Sequence, residues 1–411
     1  MAVSQSAIVQ HLKALLGKEQ VQVDAETLER YSADALGPFR AFRAAPLLEE
    51  ARPDAVVLPR SAEEVAKVLA FASQEGIPVV PYGGGSGVMG GAVPVRGGIV
   101  LSLSRMNRIV EIDPEGRRAV AEAGVLLEDL AEALERQGLL LGHDPWSLPI
   151  ATVGGAVATD GVGYLAARYG PMGQQVLGLE AVLTTGEIVR TKAVPKGAGP
   201  ALHRLFIGSE GVLGVVTQAT LEVFPQPETR ALLAFSFPSF DAAFAAVLDL
   251  SSQGLRPSLL DLAEEFTSHT SQTKLYLGFE GPREEVKAQR ERALSLCGRH
   301  GATDLGPGAA AEFWETRHRI GERYKKEILT RPSRRRTSSW RMDYLHVSLP
   351  APRVPQFRRH CQEVLQKAGI PVHEWSLWSR PEFFSFLISK PAPSGPVSQH
   401  TMAAVVDDLL T

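Results

Sequence analysis

Glycine clusters are the first feature of this sequence with a chemical use. Residues 80–91 read VPYGGGSGVMGG, and from Gly85 they follow the spacing G-x-G-x-x-G. That spacing is typical of a phosphate-binding turn that opens a helix. Here a proline and two glycines follow and prevent a useful helix, namely Pro94, Gly97 and Gly98. The nicotinamide-type fold is therefore excluded. A flexible surface loop and a nest of N–H groups for anionic oxygens remain the two interpretations.

Two further clusters of small residues favour the nest. One is GHDPWSLPIATVGGAVATDGVGYLAARYG at residues 142–170, and the other is LFIGSEGVLGVVTQATLEVFP at residues 205–225. Small residues let a backbone approach a ligand closely. Three such clusters in one half of the chain indicate a long ligand that the backbone contacts at several points.

Composition limits the function classes. The 411 residues are 44% hydrophobic and 22% charged, with a net charge of −3, which argues against a dedicated nucleic-acid binder. The two cysteines, Cys297 and Cys361, are too few for a disulfide framework, and we expect both in the core. No stretch approaches the roughly 20 apolar residues that span a bilayer. We expect a cytoplasmic protein.

Short alternating elements precede a domain boundary. Residues 61–76 predict a helix with Ser61 as its cap, Glu64 completing a capping box and Gly76 at its end. A strand then leads directly into the first glycine loop. Pro225 and Pro227 mark the boundary. We predict an N-terminal segment over 1–52, a ligand-binding domain over 53–227 and a separate α+β domain over 228–411.

The three clusters, in their order and spacing, resemble the FAD-binding domain of the vanillyl-alcohol oxidase / p-cresol methylhydroxylase (PCMH) superfamily. Within it, GHDPWSLPIATVGG is similar to glycolate oxidase / D-lactate dehydrogenase-like flavoproteins and to alkyldihydroxyacetonephosphate synthases. The resemblance implies an α+β fold: a two-subdomain PCMH-type FAD-binding domain, then an α+β cap domain with an antiparallel sheet for the substrate.

The resemblance also implies which residues contact FAD. The first loop would wrap the pyrophosphate, the second cluster would follow the flavin and ribityl chain, and the third would hold the adenine end. The implied residues are Pro81, Tyr82, Gly83, Gly84, Gly85, Ser86, Gly87, Trp146, Ser147, Leu148, Pro149, Thr152, Gly154, Gly155, Thr159, Asp160, Gly163, Tyr164, Glu210, Gly211, Gly214, Val215 and Val216. The family often has Asn-Ala-Ser-Gly where this chain has Asp-Gly-Val-Gly at residues 160–163, so main-chain contacts are expected there. Relatives with covalent flavin use a histidine in the first loop, which this loop lacks, so non-covalent FAD is expected.

The second half departs from its relatives. The metal-binding histidine motif of related dehydrogenases and the histidine-rich loop of the synthases are missing, and no metal site is expected. Arg317, in EFWETRHRIGERY, is the candidate anion clamp, with an exposed helix arginine as the alternative. His346, in DYLHVSLP, and His373, beside Glu374, are candidate catalytic residues. A surface pair is the alternative for His373 and Glu374. The arginines of TRPSRRRTSSWR, at residues 330–341, form either a site for an acidic group or a solvated loop.

The leading hypothesis is an FAD-dependent oxidoreductase that oxidises a small anionic substrate, a 2-hydroxy acid, by hydride transfer and passes electrons to an unidentified acceptor. One alternative is an alkyldihydroxyacetonephosphate synthase-like enzyme that uses FAD without net redox. Another is a non-catalytic FAD-binding subunit of an oxidase complex. A homodimer or a partner oxidase subunit is compatible with each.

Overall fold

The computed structural model describes residues 4–35, 51–193, 199–266, 270–328, 342–389 and 405. These ranges form three main sheets and one small strand pair. A search of the described helices finds none with the length and hydropathy to cross a membrane.

The first sheet has four strands in the order β1–β2–β4–β3. Its strands are β1 (Val21–Gln22), β2 (Ala55–Val57), β3 (Val79–Tyr82) and β4 (Ile99–Ser102). β2, β4 and β3 are parallel, whereas β1 from the N-terminal segment pairs antiparallel with β2. The accompanying helices are α1 (Gln5–Leu16), α2 (Ala25–Arg30) and α3 (Ala62–Glu75).

Helix α3 begins and ends where the sequence predicts. Ser61 Oγ accepts a hydrogen bond from the backbone N–H of Glu64, and Gly76 ends the helix with a φ of 65°. The predicted capping box is wrong in one detail. The Glu64 carboxylate accepts from the N–H of Arg60 rather than from that of Ser61. Helix α3 buries its apolar face on the first sheet and positions β3, which leads into the glycine loop.

The second sheet has five antiparallel strands in the order β5–β6–β10–β8–β9. The strands are β5 (Ile109–Asp113), β6 (Arg118–Glu122), β8 (Val176–Val182), β9 (Ile188–Arg190) and β10 (Val215–Glu222). The short strands β7 (Leu139–Leu140) and β11 (Phe224–Pro225) pair separately. Its helices are α4 (Leu127–Glu135), α5 (Val153–Ala158), α6 (Ala166–Tyr169) and α7 (Met172–Gln175). Helix α5 lies inside the second cluster and was not predicted, although Thr152 is its capping residue.

The third sheet is antiparallel, with seven strands in the order β15–β12–β14–β13–β17–β18–β16. They are β12 (Thr229–Phe237), β13 (Leu259–Phe266), β14 (Ser271–Gly281), β15 (Thr303–Asp304), β16 (Met342–Ser348), β17 (Val372–Trp378) and β18 (Phe383–Ser389). One face packs against α8 (Phe240–Ser252), α9 (Arg283–Arg299) and α12 (Val354–Lys367). Both cysteines are buried in this core, as predicted.

The opposite face of the third sheet meets the second small-residue cluster, since the Tyr169 hydroxyl donates to the carboxylate of Glu280 on β14. Strand alternation places Leu260 and Leu262 in the core and leaves Asp261 on this other face. Helix α10 (Gly306–Thr316) lies there, since its Phe313 stacks on Tyr276 of β14 at 4.0 Å between ring centroids. Helix α11 (Arg319–Arg323) and a π-helical turn (Tyr324–Ile328) continue from it. We call this surface the open face.

Candidate functional site

The first glycine loop lies directly on the second small-residue cluster. A Cβ atom on Gly83 would stand 2.5 Å from Thr152 Oγ1, and one on Gly84 would overlap the carbonyl oxygen of Ile150. Tyr82, just before the loop, is buried, and its hydroxyl donates to the Ala33 carbonyl at 2.9 Å. The close approach requires glycine for steric reasons, and it leaves the Tyr82 side chain turned into the core.

The third cluster closes the same region. Gly211 has a φ of 83°, and a Cβ atom there would stand 2.7 Å from Pro81 Cγ. Glu210 has a φ of 50°, and its carboxylate lies against Gly91 of the first loop. Beyond it the chain enters β10 through three predicted residues, Gly214, Val215 and Val216. The three clusters therefore converge around the end of β3.

The loop at residues 83–87 fits an anionic group. No described residue accepts a hydrogen bond from its backbone N–H groups, including those of Gly85 and Ser86. A Cβ atom on Gly87 would meet nothing within 4 Å. Unpaired N–H groups beside open space form a concavity that suits phosphate oxygens. The residues present therefore fit the pyrophosphate of FAD.

Several predicted side chains are engaged within the second cluster itself. Thr152 Oγ1 accepts from the N–H of Gly155 at 3.2 Å, and Thr159 Oγ1 donates to the Gly155 carbonyl at 3.0 Å. Asp160 has a φ of 47°, and its Oδ1 accepts from the N–H of Gly173 at 2.7 Å. A Cβ atom on Gly154 would stand 2.5 Å from Ala123 Cβ. These side chains stabilise the loop, which leaves main-chain groups to face a ligand.

The segment from Trp146 to Pro149 touches the second domain. A Cβ atom on Gly321 of α11 would stand 2.5 Å from the Trp146 carbonyl oxygen and 3.1 Å from Pro149 Cδ. Ser147 is buried, and Leu148 packs against the apolar core of the second sheet. Helix α11 therefore covers the stretch predicted to lie along the flavin.

The Asp144 carboxylate contacts two side chains of the second domain, Arg317 and His318. Its Oδ2 accepts from Arg317 Nε at 2.8 Å, and its Oδ1 lies 2.6 Å from His318 Nε2. Burial alone would raise the pKa of Asp144, but the hydrogen bond from His318 and the charge of Arg317 outweigh it and hold that pKa below its usual range. Arg317 also stacks on Trp314, with Cζ 3.7 Å from the ring centroid, and its Nη1 donates to the Trp314 carbonyl. The predicted anion clamp is thus part of a buried network.

Tyr164 lies between this network and the open face. Its hydroxyl donates to the Arg317 carbonyl at 3.1 Å, and its ring centroid is 6.4 Å from that of His318. Burial raises the pKa of Tyr164, and the charge of Asp261 on the third sheet adds to that effect. The Tyr164 ring also contacts that of Phe313 on α10 edge-on, with 5.9 Å between the centroids, so a side chain of the second cluster lies against the open face.

The two other predicted catalytic histidines lie on the third sheet. His346 Nδ1 is 2.7 Å from Ser385 Oγ, and its ring stacks between those of Tyr344 and Phe383. Burial lowers the pKa of His346 below its usual range. His373 occurs at a bulge of β17, with Nε2 2.7 Å from Ser389 Oγ, and burial lowers its pKa as well. The structure brings neither into contact with Arg317.

The sequence analysis did not identify Asp144, His318 or Asp261. Asp144 stands in the quoted GHDPW stretch and His318 follows Arg317, but only the fold brings them together. Asp261 interrupts the apolar pattern of LLDLAEEF, and this interruption is the sequence feature that could have indicated a special role for Asp261.

The described residues contain no cluster of three metal-ligating side chains. The arginines at residues 331, 334, 335 and 336 lie outside the described residues.

Two family models match the chain. A model described as FAD binding domain covers residues 53–192, and one described as FAD linked oxidases, C-terminal domain covers residues 226–377. The solved structure of an alkyldihydroxyacetonephosphate synthase superposes with a TM-score of 0.80 at 21% identity, covering 99% of this chain and 80% of that chain. A p-cresol methylhydroxylase structure gives a TM-score of 0.74 at 19% identity, over 98% and 86%. The predicted PCMH-type α+β fold is confirmed.

Three relatives share more sequence identity with this chain than these solved structures do, and each has a different enzyme name. Glycolate oxidase subunit GlcD of Bacillus subtilis is 34% identical over 65% of this chain and 58% of its own length. Alkyldihydroxyacetonephosphate synthase of Trypanosoma brucei brucei is 30% identical over 72% and 54%, so the chain spans little more than half of these two relatives. D-lactate dehydrogenase of Archaeoglobus fulgidus is 32% identical over 83% of this chain and 75% of that protein. With FAD as its cofactor, the chain belongs to the family of FAD-linked oxidases that carry a PCMH-type FAD-binding domain.

Proposed function

We propose that this chain oxidises the hydroxyl-bearing carbon of a small 2-hydroxy acid, with non-covalent FAD as the oxidant. The observation that carries the proposal is the Asp144–His318 pair beside the segment predicted to lie along the flavin. When bound, FAD accepts a hydride from the substrate carbon. The protein must supply a base for the hydroxyl proton and a cation for the carboxylate. The names of the glycolate oxidase subunit and the D-lactate dehydrogenase support this substrate class.

His318 is the proposed base. Asp144 accepts from its Nε2, which fixes the ring and stabilises the imidazolium that forms when Nδ1 takes a proton. Arg317 is the proposed partner of the substrate carboxylate. Its Nε and Nη1 are engaged by Asp144 and Trp314, while Nη2 makes no hydrogen bond to a described residue. Its stacking on Trp314 holds the guanidinium in one orientation.

The test compares two histidine variants during anaerobic mixing with 2-hydroxy acids. His318→Gln should slow the loss of flavin absorbance by about 10²–10⁴-fold, the usual contribution of a general base. His300→Gln is the matched control, since it removes another His–Asp pair, with Asp249 at 2.9 Å, on the helix-covered side of the third sheet. Equal rates in the two variants would contradict the assignment of His318.

A second candidate is an alkyldihydroxyacetonephosphate synthase-like reaction, which the 30% identity to such an enzyme favours. It predicts no net loss of flavin absorbance with any 2-hydroxy acid. Because one relative is named as an oxidase subunit, a partner subunit that receives the electrons is part of the proposal. Co-purification followed by reduction of an added dye, with and without the partner, tests it.

A further inference from the structure

A short N-terminal segment, residues 31–35, lies against the first glycine loop, and we call it the strap. The N–H of Ala35 donates to the Gly87 carbonyl at 2.9 Å. The Asp34 carboxylate accepts from the N–H of Gly90 at 2.7 Å through its Oδ2. Asp34 is only 1% exposed, so this hydrogen bond is shielded from water. The strap therefore holds the glycine loop at the C-terminal end of the stretch that fits the pyrophosphate.

The strap is itself anchored to the first sheet. The Tyr31 hydroxyl lies 3.2 Å from the Oγ of Ser102, the last residue of β4. The Tyr31 ring also packs edge-on against that of Tyr82, the last residue of β3, with 4.8 Å between the centroids. The Ala33 carbonyl accepts from the Tyr82 hydroxyl. These contacts fix the strap to β3 and β4, the two strands that the glycine loop connects.

The glycine loop needs such contacts because its own sequence is flexible. Half of the residues from 80 to 91 are glycine, which loses more conformational freedom on ordering than any other residue. N–H groups that bind phosphate oxygens must converge on one point, and ordering them at the moment of binding lowers the affinity. Contacts that order the loop beforehand therefore raise its affinity for an anionic group.

Asp34 suits a role in ordering the loop rather than in touching the cofactor. Its Oδ2 is engaged by the N–H of Gly90, and a carboxylate in contact with a pyrophosphate would repel it. The geometry requires an oxygen that accepts from a backbone N–H, and a neutral amide oxygen can also do this. The strap precedes residue 53, where the match to the FAD binding domain begins.

We propose that the strap is part of the FAD site, and that Asp34 is a positioning residue that orders the glycine loop for the pyrophosphate. Residues outside the matched domain thereby set the affinity for the cofactor. Because such coupling is reciprocal, FAD bound at the loop must in turn stabilise the strap. The inference concerns cofactor binding alone, so it is independent of whether the chain oxidises a 2-hydroxy acid.

The test measures the FAD affinity of the apoprotein by calorimetry in three variants. Asp34→Ala removes the acceptor and should weaken FAD binding by about tenfold or more, as expected for one charge-assisted hydrogen bond. Asp34→Asn keeps an oxygen that can accept from Gly90, and its affinity should stay within about threefold of the wild type. Asp24→Ala is the matched control, because Asp24 also accepts from a backbone N–H, that of Thr27 at 2.9 Å, but at the exposed start of α2. Its FAD affinity should equal that of the wild type.

Hydrogen–deuterium exchange of the wild type gives a second readout that needs no variant to fold. Addition of FAD should slow exchange in the strap by about tenfold or more, whereas exchange in α1 of the same N-terminal segment should change little. Full FAD affinity in Asp34→Ala would overturn the proposal, as would binding that is equally weak in Asp34→Asn and Asp34→Ala. Exchange in the strap that is the same with and without FAD would overturn it even where Asp34→Ala does not fold.

Discussion

His318 Nε2 lies 2.6 Å from Asp144 Oδ1, and this contact joins two segments 174 residues apart. Asp144 belongs to the half that forms the FAD cradle, and His318 to the cap. The same carboxylate accepts from Arg317, so one buried anion orients both groups that the proposed reaction needs. The contact therefore couples the packing of the two domains to the positions of the proposed base, His318, and the proposed anion clamp, Arg317.

Asp144→Asn should destabilise the protein by about 3 kcal/mol, because it leaves the guanidinium of Arg317 largely buried without its anion. The measurement is urea unfolding at pH 7. Asp249→Asn is the matched control. The Asp249 side chain is 42% exposed in its own pair with His300, so its loss should cost less than about 1 kcal/mol. Equal losses would show that the Asp144 network has no special role.

Substitutions at two glycines of the first loop should distinguish an effect on folding from an effect on cofactor binding. Gly84→Ala should disrupt the loop, because its Cβ would overlap the carbonyl of Ile150. Gly87→Ala meets no protein atom within 4 Å, so the apoprotein should keep its Tm. Its methyl group would occupy the concavity that fits the pyrophosphate, and FAD affinity should fall by about tenfold or more. Unchanged FAD affinity in Gly87→Ala would contradict the predicted position of the pyrophosphate.

The environment of Asp261 on β13 predicts a pH dependence of stability. Burial, together with the charges of Glu374 and Glu265, raises the pKa of Asp261 to about 8, against about 3.9 in an unfolded chain. Between these values the folded state holds a proton that the unfolded state has lost, so this group makes stability fall as pH rises. Glu374 acts with the same sign, and among the described residues Glu265, Tyr164, Tyr276 and Tyr344 are the other titratable groups that interact electrostatically with Asp261.

Asp261→Asn should remove most of the loss of folding stability that occurs as the pH rises. The variant's free energy of unfolding, relative to the wild type, should increase from pH 5 to pH 9 by on the order of 2 kcal/mol. Glu363→Gln, at an exposed position of α12 on the far side of the third sheet, should show no such trend. A difference between Asp261→Asn and the wild type that stays constant with pH would mean that Asp261 titrates as an ordinary carboxyl group.

The close packing of the glycine loops could be predicted from the sequence because glycine positions report local geometry. Gly83 and Gly84 are required where two loops touch, and Gly76 ends α3 with the positive φ that its sequence suggested. Each of these features depends on a short stretch of chain.

The network around Asp144 was harder to predict because it depends on contacts between distant segments of the chain. Nothing in GHDPW indicates that its aspartate meets a histidine from the cap. The role of Arg317 was predicted from family resemblance, but its pairing with Asp144 was not. Glu265 and Glu374 become cross-strand neighbours only through the antiparallel pairing of β13 and β17, which joins strands about a hundred residues apart.

Anaerobic titration of the FAD-loaded protein with a panel of 2-hydroxy acids tests the central claim most directly. The account predicts that at least one member removes the flavin absorbance, with one 2-oxo acid formed for each FAD. It also predicts that His318→Gln, with a full complement of FAD, loses this reaction while His300→Gln keeps it. A wild-type protein that binds FAD in full and keeps its absorbance with every 2-hydroxy acid would contradict the proposed oxidation.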